Sequence, residues 1–147
     1  MINYFLDHRI PADPEKHLAG KMVLGVGIDI IEIERIKKSV DEYGESFLNK
    51  IYTAVELDYS LSKPNKYQHL AARFAAKEAI YKALSSDSEK VYSWQDIEIF
   101  NESNGLPKVN FYGSLKDYLN PGKTIHISMS HSENYVTCVA VLSSLKD

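Results

Sequence analysis

A chain of 147 residues with 44% hydrophobic and 25% charged content suits one globular domain around a single core, and a net charge of -3 argues against a general nucleic-acid binder. No apolar run approaches the roughly 20 residues needed to cross a bilayer, and the N-terminus lacks the basic-then-hydrophobic order of a signal peptide, so a cytoplasmic protein without a membrane partner is expected. Its one cysteine, Cys138, excludes a disulfide framework and lies in an apolar run, where a small buried thiol is the natural reading.

Residues 1–21 carry Pro11, Pro14 and the charges of Asp7, His8 and Arg9, hold no period of 2 or 3.6, and read as an appendage before a single domain over 22–147. The core opens with Met22-Val23-Leu24-Gly25-Val26-Gly27-Ile28, an apolar strand too short for a buried helix. After Asp29 the spacing of Ile33, Ile36, Val40 and Tyr43 predicts a helix with Arg35 and Lys38 on its outer side. Lys63-Pro64-Asn65-Lys66 breaks the chain, and the main helix follows over 67–85 on its alanine and leucine content. Ala72, Ala76, Ala79 and Ala83 form a stripe there that admits a close neighbour, and Leu70, Phe74, Tyr81 and Leu84 form a bulkier one. Residues 96–100 and 108–112 alternate at period 2 around the turn signal Asn104-Gly105 and predict two antiparallel strands. A short helix over 114–119 ends at Asn120-Pro121-Gly122, and strands over 124–130 and 135–142 flank Ser132-Glu133-Asn134. No internal repeat or low-complexity tract interrupts this order.

Several chemistries fall away. Gly25-Val26-Gly27 begins like a dinucleotide fingerprint but lacks the third glycine, and Asp29 would repel a pyrophosphate that came without a cation. There is no P-loop lysine motif, no zinc-type cysteine pair and no His-Glu metalloprotease helix. Two acids remain open to two readings. Asp29, with Glu32 three residues on, is either an acidic helix cap or an exposed ligand for a hard cation such as magnesium. Glu78 either pairs with Lys82 one turn away, worth about 0.3 kcal/mol, or uses the space that Ala71, Ala75 and Ala79 leave for an oxygen-rich ligand. His131, beside a strand whose faces are Ile125, Ile127, Met129 and His126, Ser128, Ser130, is a surface histidine or a group that orients phosphate and moves protons. Arg73, Lys77 and Lys82 are solvated helix charges or phosphate ligands.

Four segments carry a resemblance: Gly27-Ile28-Asp29-Ile30-Ile31-Glu32-Ile33, Arg73-Phe74-Ala75-Ala76-Lys77-Glu78-Ala79, Gly105-Leu106-Pro107 and Ser128-Met129-Ser130-His131-Ser132. In this order, from about Met22 to Leu142, the chain closely resembles the holo-[acyl-carrier-protein] synthases of the 4'-phosphopantetheinyl transferase family. The resemblance implies an α+β fold with a mainly antiparallel sheet packed on a long helix, in a homotrimer with sites between subunits. It implies transfer of the 4'-phosphopantetheine arm of coenzyme A to a serine of acyl carrier protein, with release of adenosine 3',5'-bisphosphate, in support of fatty acid biosynthesis. Magnesium is the implied cofactor, held by Asp29 and Glu78. Arg73, Lys77, Lys82 and His131 match positions near the nucleotide and phosphates, Gly105 and Pro107 border the adenine, and Phe74 supports the pocket. Glu78 is the favoured base for the acceptor serine, with His131 the alternative. Because carrier proteins of the family are acidic, Arg35 and Lys38, with Lys37 at the edge, are the candidates for docking. Where the family commonly has glycines, Ser85-Ser86-Asp87-Ser88 puts an acid near the expected phosphates. A magnesium-dependent pyrophosphate hydrolase and a non-catalytic coenzyme A or carrier binding module remain alternatives.

Overall fold

The computed structural model describes residues 20–85 and 92–145, so the appendage up to residue 19 and the acid-bearing loop at 86–88 lie outside the described residues. The first strand, β1 (Lys21–Glu32), is longer than the sequence suggested, because Ile30 and Ile31 continue its alternation and pair with the last strand. Asp29 therefore sits inside a strand. This corrects its reading as a helix cap: the cap of the following helix, α1 (Ile33–Ile51), is Glu32, which makes no side-chain cap bond.

Helix α1 buries Ile36 and kinks at Gly44, whose φ of 53° lies in the left-handed region that glycine tolerates. Tyr43, expected on the inner face, is exposed because the kink follows it directly. A helix the sequence analysis did not predict, α2 (Ala54–Leu61), starts at a capping box in which Glu56 N–H donates to the Thr53 hydroxyl and Thr53 N–H donates to the Glu56 carboxylate. The main helix, α3 (Lys66–Leu84), follows within a residue of its expected bounds.

β2 (Ile97–Asn101) and β3 (Pro107–Phe111) form a two-stranded antiparallel sheet, preceded by a single 3-10 turn at Trp94–Asp96. After the short α4 (Gly113–Leu119), β4 (Lys123–His131) and β5 (Tyr135–Leu145) join β1 in an antiparallel sheet of order β1-β5-β4. The α+β class and the antiparallel sheet on a long helix are as expected from the sequence. On β4, Ile125, Ile127 and Met129 are partly covered and His126, Ser128 and Ser130 are exposed, the predicted alternation.

α3 lies across the inner face of that sheet, against β1 and β5. Ala71, Ala75, Ala76, Ala79 and Ala83 are all fully buried in this contact, so Ala71, Ala75 and Ala79 seat the helix on the sheet and do not leave space for a ligand. Leu70, Ile80 and Leu84 complete the seam, each worth about 1.5–3 kcal/mol on full burial, whereas Tyr81 of the predicted bulky stripe is exposed. Gly27 is the point of closest approach, since a Cβ there would lie 1.9 Å from the Ala79 carbonyl oxygen. Cys138 is buried on β5, and burial, followed by the nearby Asp29 charge, pushes its thiol up to about 12.

Candidate active site

Alternation along β1 decides where Asp29 points. Gly27 and Ile31 are buried on the helix side while Val26, Ile28 and Ile30 are exposed, so Asp29 shares the side that faces α3. Glu78 and Lys82, one turn apart on α3, are about 40° apart around the helix. Lys82 Nζ donates to Asp29 Oδ1 at 2.9 Å and to the Ile28 carbonyl at 3.0 Å. The one-turn pair of Lys82 with Glu78 is thus replaced by a pair across to the strand. Asp29 and Glu78 line one pocket of about 320 Å³, walled by Arg35, Ile36, Ser39 and Phe47 of α1 and by Phe74. Burial, and next the Asp29 charge, raise Glu78 above the ordinary glutamate range, with Lys82 opposing. Two acids far apart in sequence therefore meet on one cavity. Among the described residues no group of three His, Cys, Asp or Glu gathers for a metal, so protein ligation of a cation there would come from this carboxylate pair.

Glu78 also borders a second pocket of about 300 Å³, with Tyr81, Tyr92 and Trp94 on its walls. Phe74 separates the two by stacking on Trp94 at 5.3 Å between ring centroids.

Arg73 and Lys77 correct the expectation of solvated charges, because both side chains are buried, at 2% and 1% exposure. Lys77 Nζ spends its three donors on Glu56 Oε2 at 2.7 Å, the Ile51 carbonyl at 2.7 Å and the Trp94 carbonyl at 3.0 Å. None is left for a phosphate, which removes Lys77 from the phosphate ligands. Glu56 is as fully engaged, with Oε1 accepting the Ile99 N–H at 2.7 Å. Burial lowers the Lys77 pKa, and Glu56 opposes the shift.

Arg73 stands at the other end of a cationic group. Its guanidinium lies 4.3 Å from the Tyr59 ring centre and donates to the His69 carbonyl and, at 2.8 Å, to Asn101 Oδ1. Asn101 in turn donates to the Gly105 carbonyl at 3.0 Å, which ties Arg73 to the turn before Pro107, where Gly105 has a φ of 84°. His69 is pushed below the ordinary histidine range by burial first, then by Arg73, Lys63 and His131. His131 is the exposed last residue of β4, opposite Val136. This second group, about 140° around α3 from Glu78, is not joined to the acid pair within one chain: His131 does not line the Asp29–Glu78 pocket. Arg35 and Lys38 are both exposed on α1, Arg35 at the pocket rim, while Lys37 pairs with Asp41 at 3.0 Å.

Sequence reasoning missed Glu56, Lys63, His69 and Asn101. Thr53-x-x-Glu56 before an apolar residue is a capping-box signal that marks Glu56 and its helix. Asn101 carries no comparable signal, since its role arises from the β2–β3 turn meeting α3.

The fold and site define a class: α+β proteins in which a strand-borne aspartate, paired with a lysine, shares a pocket with a helix-borne glutamate, beside a separate cationic group. Residues 25–140 match the 4'-phosphopantetheinyl transferase superfamily. The chain belongs to that superfamily. It is 46% identical over 123 residues to the holo-[acyl-carrier-protein] synthase of Protochlamydia amoebophila (strain UWE25), covering 84% of this chain and 100% of that protein. It is 48% identical over 119 residues to the synthase of Chlamydia trachomatis serovar D, covering 81% of this chain and 98% of that protein. A crystal structure of the Bacillus anthracis str. Ames synthase in complex with CoA (3',5'-ADP) superposes with a TM-score of 0.69 at 34% identity, covering 84% of this chain and 98% of that one.

Proposed function

We infer that this chain transfers the 4'-phosphopantetheine group of coenzyme A to a serine of apo acyl carrier protein, releasing adenosine 3',5'-bisphosphate, as a holo-[acyl-carrier-protein] synthase does. The observation that carries the reading is the pocket shared by Asp29 and Glu78. Its hard oxygen donors fit magnesium: two carboxylates leave room for the waters and phosphate oxygens with which that ion completes six ligands. When bound there, magnesium supplies charge neutralisation as the phosphoanhydride breaks.

The chain's own residues supply the rest. Asp29 and Glu78 hold the cation, and Lys82, next to Asp29, offers an ammonium to the phosphates. Phe74, Ile36 and Phe47 wall the pocket and limit water. Glu78 accepts the proton of the acceptor serine as its oxygen bonds to the β-phosphorus, and the anhydride oxygen leaves with the adenosine bisphosphate. His131 is the alternative base. Arg73, His131 and the Gly105-Pro107 turn serve the nucleotide end, where Lys63 adds to the positive field.

Because that group faces away from Glu78 on one chain, the reading includes a homotrimer whose sites lie between subunits, so that the acid pocket of one copy meets the His131 edge of the next. An exposed apolar sheet face supports assembly, with Val26, Ile28 and Ile30 at 61%, 64% and 65% exposure; contiguous patches of this kind mark interaction surfaces. Arg35 and Lys38 on α1 offer the acidic carrier protein its docking charges. Residues 1–21 stand outside the transferase unit in this reading, which the start of the family match at residue 25 supports. Among the described residues no helix is long and apolar enough to cross a membrane.

Incubation with coenzyme A, magnesium and apo carrier protein tests the function. A carrier heavier by one phosphopantetheine, with adenosine 3',5'-bisphosphate released, is expected. Cleaved coenzyme A beside an unmodified carrier would make the chain a hydrolase, and bound, uncleaved coenzyme A would make it a binding module.

A further inference from the structure

We propose that Lys82 is a surrogate cation at Asp29 which metal and pyrophosphate displace together, so that each ligand raises the affinity for the other. The proposal rests on the magnesium and coenzyme A reading above and concerns how that same site is loaded.

Lys82 Nζ holds Asp29 Oδ1 at 2.9 Å and the Ile28 carbonyl at 3.0 Å. Its N–H uses oxygen lone-pair density that a divalent ion at Asp29 also requires. The two acids repel one another, and Lys82 is the cation that offsets them. The side chain of Lys82 is 49% exposed while that of Asp29 is 15% exposed, so the partner free to leave is the lysine, by rotation of a long stem whose helix backbone stays fixed.

A cation arriving alone competes with Lys82 for the Asp29 carboxylate and then sits beside an ammonium left with only the Ile28 carbonyl. A pyrophosphate arriving alone must draw Lys82 away and leave Asp29 and Glu78 uncompensated. Arriving together, they exchange one ion pair for two, metal with acids and lysine with phosphate. By linkage the gain is the same from either side. Lys82 thereby favours the loaded metal–coenzyme A site over either half-loaded form.

Free manganese, counted by electron paramagnetic resonance in titrations of the full chain with and without coenzyme A, tests this in the wild type, Lys82→Met, Lys82→Gln and Arg35→Met. Arg35 lines the pocket of the two acids, whose cation partner at Asp29 is Lys82, and reports the effect of lost charge alone. Without coenzyme A, both Lys82 variants are expected to bind manganese about two- to fivefold more tightly, the scale of a half-exposed ion pair. The tightening that coenzyme A confers on manganese is expected to shrink by a similar factor in both, and to stay at the wild-type value in Arg35→Met. Unchanged or weaker manganese binding by the Lys82 variants overturns the proposal, as does coupling equal to the wild type. If the wild type binds no manganese under either condition, the metal reading of the site falls first and the proposal with it.

Discussion

Glu78 is where the requirements of the fold and of the chemistry part. It is half-buried, and burial together with Asp29 holds its carboxyl above the ordinary range. The protonated form is then the one the folded chain favours; the stability this contributes is full below the unfolded pKa and is lost as pH rises through the folded value. The ionised form, which serves the reaction, is the one that weakens the fold. Glu78→Gln should raise the thermal midpoint in EDTA at pH 7, with the gain disappearing toward acid pH, while carrier modification read by mass falls by about 100-fold or more. Near-full activity in that variant would remove both its metal and its proton-accepting roles.

The contact between β1 and α3 sets the spacing of the two acids. Gly27 brings the strand onto the helix backbone at Ala79, one residue from Glu78 and two from Asp29. Gly27→Ala puts a methyl group into the Ala79 carbonyl and should cost about 3 kcal/mol in urea unfolding, with metal-dependent activity falling further than stability alone explains. The Glu56–Lys77 pair fixes α3 from its other side, bonding α2, β2 and the end of α1 to the residue before Glu78. Both charges are out of water and neither has a spare bond. Glu56→Ala strands the Lys77 ammonium and should cost about 3–5 kcal/mol, whereas replacing both members by apolar or neutral residues of similar volume should cost far less. Equal losses in the two cases, measured by urea unfolding, would show that the charges do not act as a pair.

For the assembled protein the informative surface is the outer face of the three-stranded sheet. Ile28 and Ile30 of β1 point away from α3 beside Val139 and Thr137 of β5, a face no element among the described residues covers. Ile28→Glu should shift sedimentation from trimer to monomer, and transfer activity should fall with the trimer fraction because each proposed site draws its acid pair from one copy and its His131 edge from the next. A monomeric wild type with full activity would place the whole site within one chain.

Local pattern was enough for the strand alternation of β4, the bounds of α3 and the β2–β3 pairing, since period and turn chemistry are properties of neighbouring residues. Motif resemblance was enough for the family and for the meeting of Asp29 with Glu78 on one pocket. Burial of Arg73 and Lys77, the strand placement of Asp29 and the partner of Lys82 were not readable in this way. Each depends on residues distant along the chain: Glu56 neutralises Lys77, β5 extends β1 past Asp29, and the close approach at Gly27 brings β1 within reach of Lys82. Charge on a helix looks the same in sequence whether water or a buried carboxylate receives it, and desolvation, which separates the two, exists only once the elements have packed.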